Sequence, residues 1–236
     1  MKNSYLTLFL EINEPNFVFT VGKNDEQNNF NPSFKLNVPS DGFENCRISD
    51  FDKFLDIIKK NIYLIEQKFN YTFKEVILIL GNYNSSFINL SGYKKLNGSQ
   101  ILRENITYIL NTLKAYVDKF ESKKKIIHIF NTKYLLDNRK IENLPIGLFG
   151  DFYSHELSFS LLDKNDYKNI NSIFQKCNLK IKKILLRNFV KGAQICNNKQ
   201  DLDTFFLVKI SKKKSQIFFF ENNTLKFEQF FHFGFD

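Results

Sequence analysis

Histidines and cysteines are the side chains in this sequence that could act as nucleophiles, general bases or metal ligands. They are scattered along the chain, at His128, His155, His232, Cys46, Cys177 and Cys196. Only His155 has an acidic residue directly beside it, and alternation along a strand would place His155 and Glu156 on opposite faces of a sheet. The cysteines lack the spacing of a metal site, and their odd number argues against a disulfide framework. The sequence therefore predicts no catalytic residue and no metal site.

Clustered lysines are a second group with potential chemistry, because concentrated positive charge attracts phosphate. They occur near residues 123–125, 180–183 and 212–214, in a chain of formal net charge +9. These clusters are interleaved with aliphatic strand residues and lack the glycine-aromatic pattern of an RNA-recognition motif. We therefore expect no nucleic acid as a partner.

The composition is that of a folded protein from a reducing compartment. Hydrophobic residues make up 43% of 236 residues, which is enough for a sizeable core. The short apolar run near the amino end is interrupted by Glu11, and no later run reaches the length of a membrane span. The sequence therefore predicts a cytoplasmic chain without a transmembrane segment.

The first part of the chain has the pattern of an α/β domain. Strands are predicted at 5–12, 17–21 and 33–38, separated by polar turn residues. From Asp50 to Phe69 apolar residues recur at helical spacing, and VILIL at 76–80 is typical of a strand buried on both sides. A strand meander, a helix and a central strand together indicate an α/β fold.

Between residues 82 and 162 the pattern changes to that of a small α+β insert. One helix is predicted near 99–120, with strands at 86–90, 126–130 and 155–161. The α/β pattern then resumes with a helix near 166–177, the strand IKKILL, a short helix near 189–196 and closing strands within 204–233.

Three segments resemble the bacterial cell-division protein FtsA, a family of the actin-like ATPase superfamily. Residues 143–150 (NLPIGLFG), followed by HEL at 155–157, are similar to the family's Pro-x-Gly-x-x-Gly loop that leads into a strand. Residues 208–225 (VKISKKKSQIFFFENNTL) align without a gap on its Asp-Ile-Gly-Gly-Gly-Thr phosphate hairpin, and HFGFD at 232–236 resembles the Pro-x-Gly-Gly-Asp that follows. In order and spacing the resemblance covers essentially the whole chain.

The resemblance implies an α/β, actin-like (ribonuclease H-like) subdomain 1A that is interrupted by an SHS2-type insert, subdomain 1C. We expect residues 1–81 and 163–236 to form subdomain 1A and residues 82–162 to form the insert. The family's second lobe and its C-terminal amphipathic helix are not expected in this chain, which by the resemblance is a fragment or a naturally short form.

The family's phosphate loops are altered in this sequence. The glycines of the second loop correspond to Ser211, Lys212 and Lys213, and its metal-ordering aspartate corresponds to Lys209. The glycine that opens the first loop corresponds to Asn13. Glycines allow the main chain to approach phosphate closely, and a lysine reverses the charge where Mg²⁺ requires an anion.

The rest of the first loop is altered as well. The family's Gly-Thr-Thr-Lys becomes Asn13-Glu14-Pro15-Asn16, which leaves Glu11 as the one acidic match. The resemblance therefore predicts a chain that does not hydrolyse ATP and needs neither ATP nor Mg²⁺ as a cofactor.

The resemblance implies a scaffold of the divisome at the FtsZ ring, located at the inner face of the cell membrane at the division site. Cell-division proteins are the expected partners, through the helix at 99–120 and the loop at 143–150 with Pro145, Gly147 and Gly150. The FtsZ tail is a partner only if a second lobe is present, and self-association is left open.

Two alternatives also remain open. One is a working actin-like ATP-binding protein when full length, and the other is an SHS2-containing relative in pilus assembly. Tight, Mg²⁺-dependent ATP binding would favour the first, and neighbouring pilus genes would favour the second.

Overall fold

The computed structural model describes residues 6–27, 29–81, 83, 85–198, 202, 204–212 and 215–235. The chain forms two compact units. Unit 1 consists of Met1–Asn84 and Asp163–Arg187, and unit 2 consists of Ser85–Leu162 and Asn188–Asp236. Unit 1 is therefore discontinuous in sequence, and the first segment of unit 2 is inserted into it.

The described elements are numbered in chain order. From the amino end they are β1 (Thr7–Ile12), β2 (Asn16–Asn24), β3 (Phe30–Pro39), β4 (Phe43–Glu44), β5 (Arg47–Ile48), α1 (Phe51–Phe69), β6 (Glu75–Leu80), β7 (Ser85–Lys95), α2 (Arg103–Phe120), β8 (Lys124–Leu136), β9 (Arg139–Ile141), β10 (Phe152–Asp163), α3 (Lys164–Lys176), β11 (Lys180–Leu186), α4 (Arg187–Asn198), β12 (Phe205–Ile210), β13 (Ser215–Glu221) and β14 (Thr224–Phe231).

Unit 1 is built on a five-stranded mixed sheet with the order β11-β6-β1-β2-β3. β1, β2 and β3 form an antiparallel meander, whereas β6 and β11 are added in parallel beside β1. Alternate residues of β1 are fully buried, as a strand with one face on the core requires. Because β1, β6 and β11 are parallel, their carboxyl ends meet at one edge of the sheet.

Helix α1 provides much of the apolar packing of unit 1. The Asp50 carboxylate caps its first turn by accepting from the Lys53 amide at 3.1 Å, and Asn70 ends it in the left-handed conformation. The Phe54 ring lies edge-on to Phe17 at 4.8 Å and also contacts Phe43. This packing fixes the helix that the apolar periodicity predicts.

Unit 2 contains a four-stranded antiparallel sheet with the order β7-β10-β8-β9 and a three-stranded antiparallel sheet with the order β12-β13-β14. The apolar core that joins α2 to the first sheet is formed by Ile109, Val117, Leu157, Phe159 and Leu161 with their neighbours. The other face of the first sheet contacts β14, which packs against β7 and β8. α4 packs on β13, where Gly192 lies directly against the Phe220 ring.

The observed units differ from the predicted division at two points. The inserted segment spans Ser85–Leu162, where residues 82–162 were expected. Residues 188–236, in contrast, group with the insert and not with the rest of the predicted subdomain 1A. The physical reason is that β12, β13 and β14 form a sheet of their own, whose third strand packs on the insert.

Candidate functional site

The first altered loop follows β1 in unit 1, at the carboxyl ends of the parallel strands. The Gly81 amide donates to the Ile12 carbonyl at 2.8 Å, which brings the end of β6 against the loop. The Asn13 side chain lies so close to Gly81 that a Cβ on Gly81 would be 2.5 Å from Asn13 Oδ1. The Asn13 side chain therefore covers main chain where the family has a glycine. Asn13 Oδ1 is buried without a hydrogen-bond partner.

Glu11, the remaining acidic match, is held by an ion pair within unit 1. The Arg187 Nε lies 2.9 Å from Glu11 Oε1. Arg187 follows directly after β11, so the parallel arrangement of β11, β6 and β1 places it at the same sheet edge as Glu11. Both side chains are only partly exposed, with relative accessibilities of 32% and 21%. The one acidic match to the family's phosphate loops is thus paired with a guanidinium within unit 1.

The second altered loop is the turn between β12 and β13 in unit 2. Lys209 Nζ donates to Asn188 Oδ1 at 2.6 Å and lies 5.3 Å from the centroid of the Phe218 ring. Asn188 is buried at the start of α4. The ammonium that replaces the family's aspartate is therefore bound by a neutral amide oxygen and an aromatic face.

The main chain of this turn is covered by the segment after β14. A Cβ on Gly234 would lie 2.0 Å from the Ser211 carbonyl oxygen and 2.1 Å from that of Lys212. The Ser215 hydroxyl donates to the Phe233 carbonyl at 2.8 Å in the same region. Gly234 is required here because only a residue without Cβ permits this approach. Lys213 lies outside the described residues.

The loop at 143–150 is held by main-chain hydrogen bonds to the segment before α2. The Gly147 amide donates to the Ile101 carbonyl, and the Ile101 amide donates to the Leu148 carbonyl, both at 2.9 Å. Gly147 has a φ of +87°, which side chains rarely adopt, and a Cβ on Gly150 would collide with Leu136 at 2.3 Å. Pro145 is buried. Pro145 and Gly150 therefore pack toward the interior, whereas Gly147 is exposed and provides the left-handed backbone of the turn.

Most of the side chains that this loop presents to solvent are apolar. Those exposed on and beside it are Leu102, Leu144, Ile146, Leu148 and Phe149, which we call the insert patch. Phe149 is 69% exposed, an unusual position for a phenylalanine on a soluble protein. The residues predicted for contact were Pro145, Gly147 and Gly150, and the exposed apolar side chains beside them were not predicted individually. Their alternation with Pro145 and Gly147 in the sequence is the pattern from which their exposure could have been predicted.

A buried charge cluster joins β14 to the insert sheet. Lys226 is 5% exposed, and its Nζ lies 2.6 Å from Glu156 Oε1 and 3.4 Å from Glu221 Oε2. Burial opposes ionisation of Glu156, but the hydrogen bond and charge of Lys226 outweigh it and lower the pKa of that carboxyl. Nearby, Glu228 accepts from the Ser85 hydroxyl at 3.4 Å, and burial raises its pKa from 4.5 to about 7.

Among the described residues, His155 has no acidic partner at hydrogen-bonding distance. His155 is buried beneath α2, where its Nε2 lies 3.1 Å from Asn131 Oδ1, and burial lowers its pKa to about 4. Glu156 points to the opposite face, toward Lys226, as strand alternation predicts. The His128 ring lies tilted against Phe130, with 4.8 Å between the ring centroids. Over the described residues, no cluster of three or more histidines, cysteines or carboxylates could hold a metal ion.

A cavity of about 470 Å³ lies at the other end of the strands of unit 1. Its lining includes Leu8, Phe73 and Ile77, with the ion pair between Lys182 and Glu75 at 2.9 Å. These residues belong to the amino ends of β1 and β6, whereas Glu11 lies at the carboxyl ends. The cavity is therefore remote from the altered loop.

Comparison with known protein sequences finds distant similarity. No family model matches the chain. It is 23% identical over 221 residues to the cell division protein FtsA of Buchnera aphidicola subsp. Baizongia pistaciae (strain Bp), which covers 94% of this chain and 52% of that protein. The chain thus spans about half the length of this curated relative. None of the described helices has both the length and the apolarity that crossing a bilayer requires.

Solved structures give a stronger match in shape than in sequence. A chain of the PilM-PilN type IV pilus biogenesis complex superimposes with a TM-score of 0.60 at 8% identity, over 97% of this chain and 62% of that chain. A Bacteroides thetaiotaomicron VPI-5482 protein with an actin-like ATPase fold and unknown function is 13% identical, with a TM-score of 0.46 over 99% of this chain and 72% of that one.

The fold class follows from the sheet order, the insert and the structural match taken together. The five-stranded sheet of unit 1 is interrupted between β6 and α3 by the α+β insert, as predicted. At 8% identity the match to the pilus biogenesis chain shows the fold and not the activity. The predicted fold class is confirmed at this level: the chain has a mixed α/β fold with a small α+β insert, shared with that pilus biogenesis chain.

Proposed function

We propose that this chain is a protein-interaction scaffold of the FtsA type, which acts in cell division without hydrolysing ATP. The observation that carries this proposal is that the side chains at the nucleotide-loop positions are engaged in contacts within the chain. Glu11 pairs with Arg187 in unit 1, and Lys209 is bound by Asn188 in unit 2.

The physical argument rests on what a triphosphate and its metal require. Phosphate oxygens are bound by several main-chain N–H groups at close approach, and Mg²⁺ requires an available carboxylate. In this chain Asn13 covers the main chain of the first loop, and Gly234 covers that of the second. Lysine side chains alone supply charge without this fixed geometry.

The proposed partners are other proteins of the division machinery. FtsA, the relative to which the chain is similar, is a cell division protein. The insert patch supports this role, because exposed apolar side chains on a loop held rigidly by main-chain hydrogen bonds are suited to burial against a partner. By this proposal the chain works in the cytoplasm, at the inner face of the cell membrane at the division site.

Calorimetric titration with Mg²⁺ and ATP tests the nucleotide part of the proposal. We expect no saturable binding at millimolar nucleotide. The variants Arg187→Gln, which frees Glu11, and Lys209→Asp, which restores the acidic residue, are matched comparisons. Tight, Mg²⁺-dependent binding by the unmodified chain would contradict the proposal and would favour a working ATP-binding protein.

Fluorescence microscopy in the source organism, or in a cultivable host with the same division machinery, tests the scaffold part. We expect a fluorescent fusion to gather at the division site, and the double variant Leu148→Ser, Phe149→Ser to lose this localisation while its circular dichroism stays unchanged. Tyr63→Ser removes an aromatic residue of similar exposure in unit 1 and serves as the control. Equal localisation of both variants would exclude the insert patch as the contact.

A role in pilus assembly is a second candidate, favoured by the superposition on a chain of the PilM-PilN type IV pilus biogenesis complex. By this alternative the same insert patch would contact a pilus-assembly protein. The neighbouring genes separate the two candidates, since division and cell-wall genes favour the first and pilus genes favour the second. Localisation distinguishes them as well, because only the first predicts a band at the division site.

A further inference from the structure

Strand β7 forms one edge of the four-stranded sheet in unit 2. Its 11 residues pair with β10 along their whole length, from Ser85 opposite Leu162 to Lys95 opposite Phe152. Outside the helices and sheets, no main-chain hydrogen bond among the described residues reaches β7. The N–H and C=O groups on its outer side are therefore unpaired in the described part of the chain, and such groups can bind another strand.

The other edges of these two sheets are guarded, whereas β7 is not. Natural proteins protect an open edge with charge, with proline or by keeping the strand short. In the unit 1 sheet, the edge strand β3 contains two prolines and a lysine, and the edge strand β11 contains three lysines. β9, at the opposite edge from β7, has 3 residues, of which the first two are basic. From Ser85 to Tyr93, β7 carries neither a charge nor a proline.

Both faces of the sheet are already covered where β7 joins it. On one face, α2 lies so close that a Cβ on Gly92 would be 2.5 Å from the Ile109 side chain, and Leu90 packs in the apolar core beneath this helix. On the other face, the Ser85 hydroxyl donates to Glu228 of β14 at 3.4 Å. A strand added beside β7 would therefore extend a sheet that has a cover on each face.

The two rows of side chains on β7 differ in polarity. Ile88 and Leu90 point toward α2 and are partly buried. Asn89 and Ser91 point to the opposite face and are exposed. Because directly opposite residues of neighbouring strands share a face, an added strand meets apolar side chains on one side and polar side chains on the other. The segment that fits this edge has apolar residues at alternate positions.

The carboxyl end of β7 is basic. Lys94 and Lys95 are consecutive and lie on opposite faces, where Lys94 Nζ is 4.7 Å from the centroid of the Tyr108 ring and Lys95 is exposed. Among the described residues neither lysine forms an ion pair. A second copy of the chain offers no carboxylate on its own β7 and brings a further net charge of +9. An acidic segment of another protein is therefore the better electrostatic match.

We propose that β7 binds an extended, acidic segment of a partner protein by antiparallel strand addition, the direction in which β7 already pairs with β10. Two consecutive carboxylates at the amino end of the segment meet Lys95 and Lys94, and apolar residues follow at alternate positions beside Gly92, Leu90 and Ile88. Main-chain hydrogen bonds supply the affinity, and the lysines fix the register. This inference rests on the proposed scaffold function for the biological role of the partner.

Calorimetric titration of the full chain with the synthetic peptide EETITVTIT, blocked at both ends, tests this binding. In the antiparallel register its glutamates meet Lys95 and Lys94, and its isoleucines and valine share the face of Leu90. We expect saturable binding. The reversed peptide TITVTITEE should bind at least about tenfold more weakly, because its glutamates then lie far from the lysines. Equal affinity for the two peptides, or binding of neither, would overturn the proposal.

Charge reversal tests the lysines and does not depend on one variant alone. The double variant Lys94→Glu, Lys95→Glu should bind EETITVTIT about tenfold more weakly or worse, and should instead bind KKTITVTIT. The double variant Lys59→Glu, Lys60→Glu, on the exposed side of α1, changes the net charge equally and should bind EETITVTIT unchanged. Absence of recovery with KKTITVTIT would contradict pairing at this end of β7.

Amide hydrogen exchange followed by NMR locates the bound peptide and separates this inference from the proposed function. EETITVTIT should protect the β7 amides that face away from β10 and leave those of the insert patch unchanged. A dimer in ultracentrifugation whose β7 amides are protected without peptide would identify a second copy as the occupant and overturn the choice of an acidic segment. The variant Leu148→Ser, Phe149→Ser should bind the peptide as the wild type does, so loss of localisation and loss of peptide binding are distinguishable.

Discussion

The two faces of the four-stranded sheet in unit 2 are covered in chemically different ways. One face meets α2 through side chains that are completely buried and apolar, such as Leu157 and Phe159 against Val117. The other face meets β14 through a buried ion pair between Glu156 and Lys226. Both faces belong to the same strand, β10, and adjacent residues of that strand point to them alternately.

The face of the sheet that meets β14, which we call the polar face, is held by several side-chain hydrogen bonds. The Thr132 hydroxyl donates to the Glu156 carbonyl at 2.9 Å, and the Asn222 side-chain amide donates to the Thr132 carbonyl at 3.1 Å. Apolar packing contributes in proportion to the area buried and tolerates small shifts, whereas each buried charge needs its own partner. We therefore expect the α2 face to contribute more to the free energy of unfolding, and the β14 face to fix one position of the three-stranded sheet.

Truncation of the apolar face should have the largest effect. Phe159→Ala leaves a cavity at a fully buried position, and we expect the free energy of unfolding to fall by about 3–5 kcal/mol. Urea denaturation followed by circular dichroism measures the change. Phe120→Ala on the exposed side of α2 is the control and should cost about 0.5 kcal/mol or less. Equal effects of the two substitutions would contradict the packing described for this face.

Removal of one charge from the polar face should have a somewhat smaller effect. Lys226→Met leaves Glu156 without its closest cation in a buried position, which we expect to cost about 3 kcal/mol. Addition of Glu156→Gln to this variant should recover part of the loss, because no carboxylate then remains uncompensated. Lys119→Met, on the exposed surface of α2, is the control.

The double-mutant cycle for Lys226 and Glu156 decides whether the two faces differ. A coupling free energy near zero would mean that β14 is held by its apolar neighbours and that the ion pair is incidental. A coupling of about 1 kcal/mol or more would support the polar junction.

The sequence predicted the features of this fold that depend on local periodicity. The apolar spacing of helix α1 is that of a helix, and the apolar spacing of β6 and β10 is that of strands. The change of pattern near residue 82 indicated the start of the insert. The loss of glycines in both loops was also visible, since Asn13 and Lys212 are read directly from the chain. These predictions required no knowledge of which distant residues meet.

The features that the sequence did not predict depend on tertiary contacts or on an irregular strand. Arg187 is distant from Glu11 in the chain, and only the parallel arrangement of β1, β6 and β11 brings them together. Lys226 follows a buried leucine and would be placed on the surface by simple alternation. A bulge, seen as a register shift opposite Phe219 and Phe220, turns Lys226 inward instead, so that Leu225 and Lys226 are both buried.

The smallest expected effect concerns Glu228, which lies on the polar face beside Ser85. Burial raises its pKa to about 7 from 4.5, against the weaker lowering influence of the Ser85 hydrogen bond and the Lys209 charge. The folded state therefore holds this proton at pH values where the unfolded state has released it. Stability is greatest below pH 4.5 for this group and falls as the pH rises toward 7. Glu228→Gln keeps the size and the hydrogen-bonding capacity but cannot ionise.

The comparison of the wild-type chain with Glu228→Gln at each pH isolates this carboxyl. His155, whose pKa burial lowers to about 4, acts in the opposite direction because its buried neutral form is lost as the pH falls from 6.5. That contribution is common to both proteins and cancels in the difference. Between pH 5 and pH 8 we expect the free energy of unfolding of the variant to rise by roughly 2 kcal/mol relative to that of the wild type. Urea denaturation measures this difference. A difference in the free energy of unfolding that does not change with pH would mean that water reaches Glu228. The polar face would then be more open than its hydrogen bonds indicate.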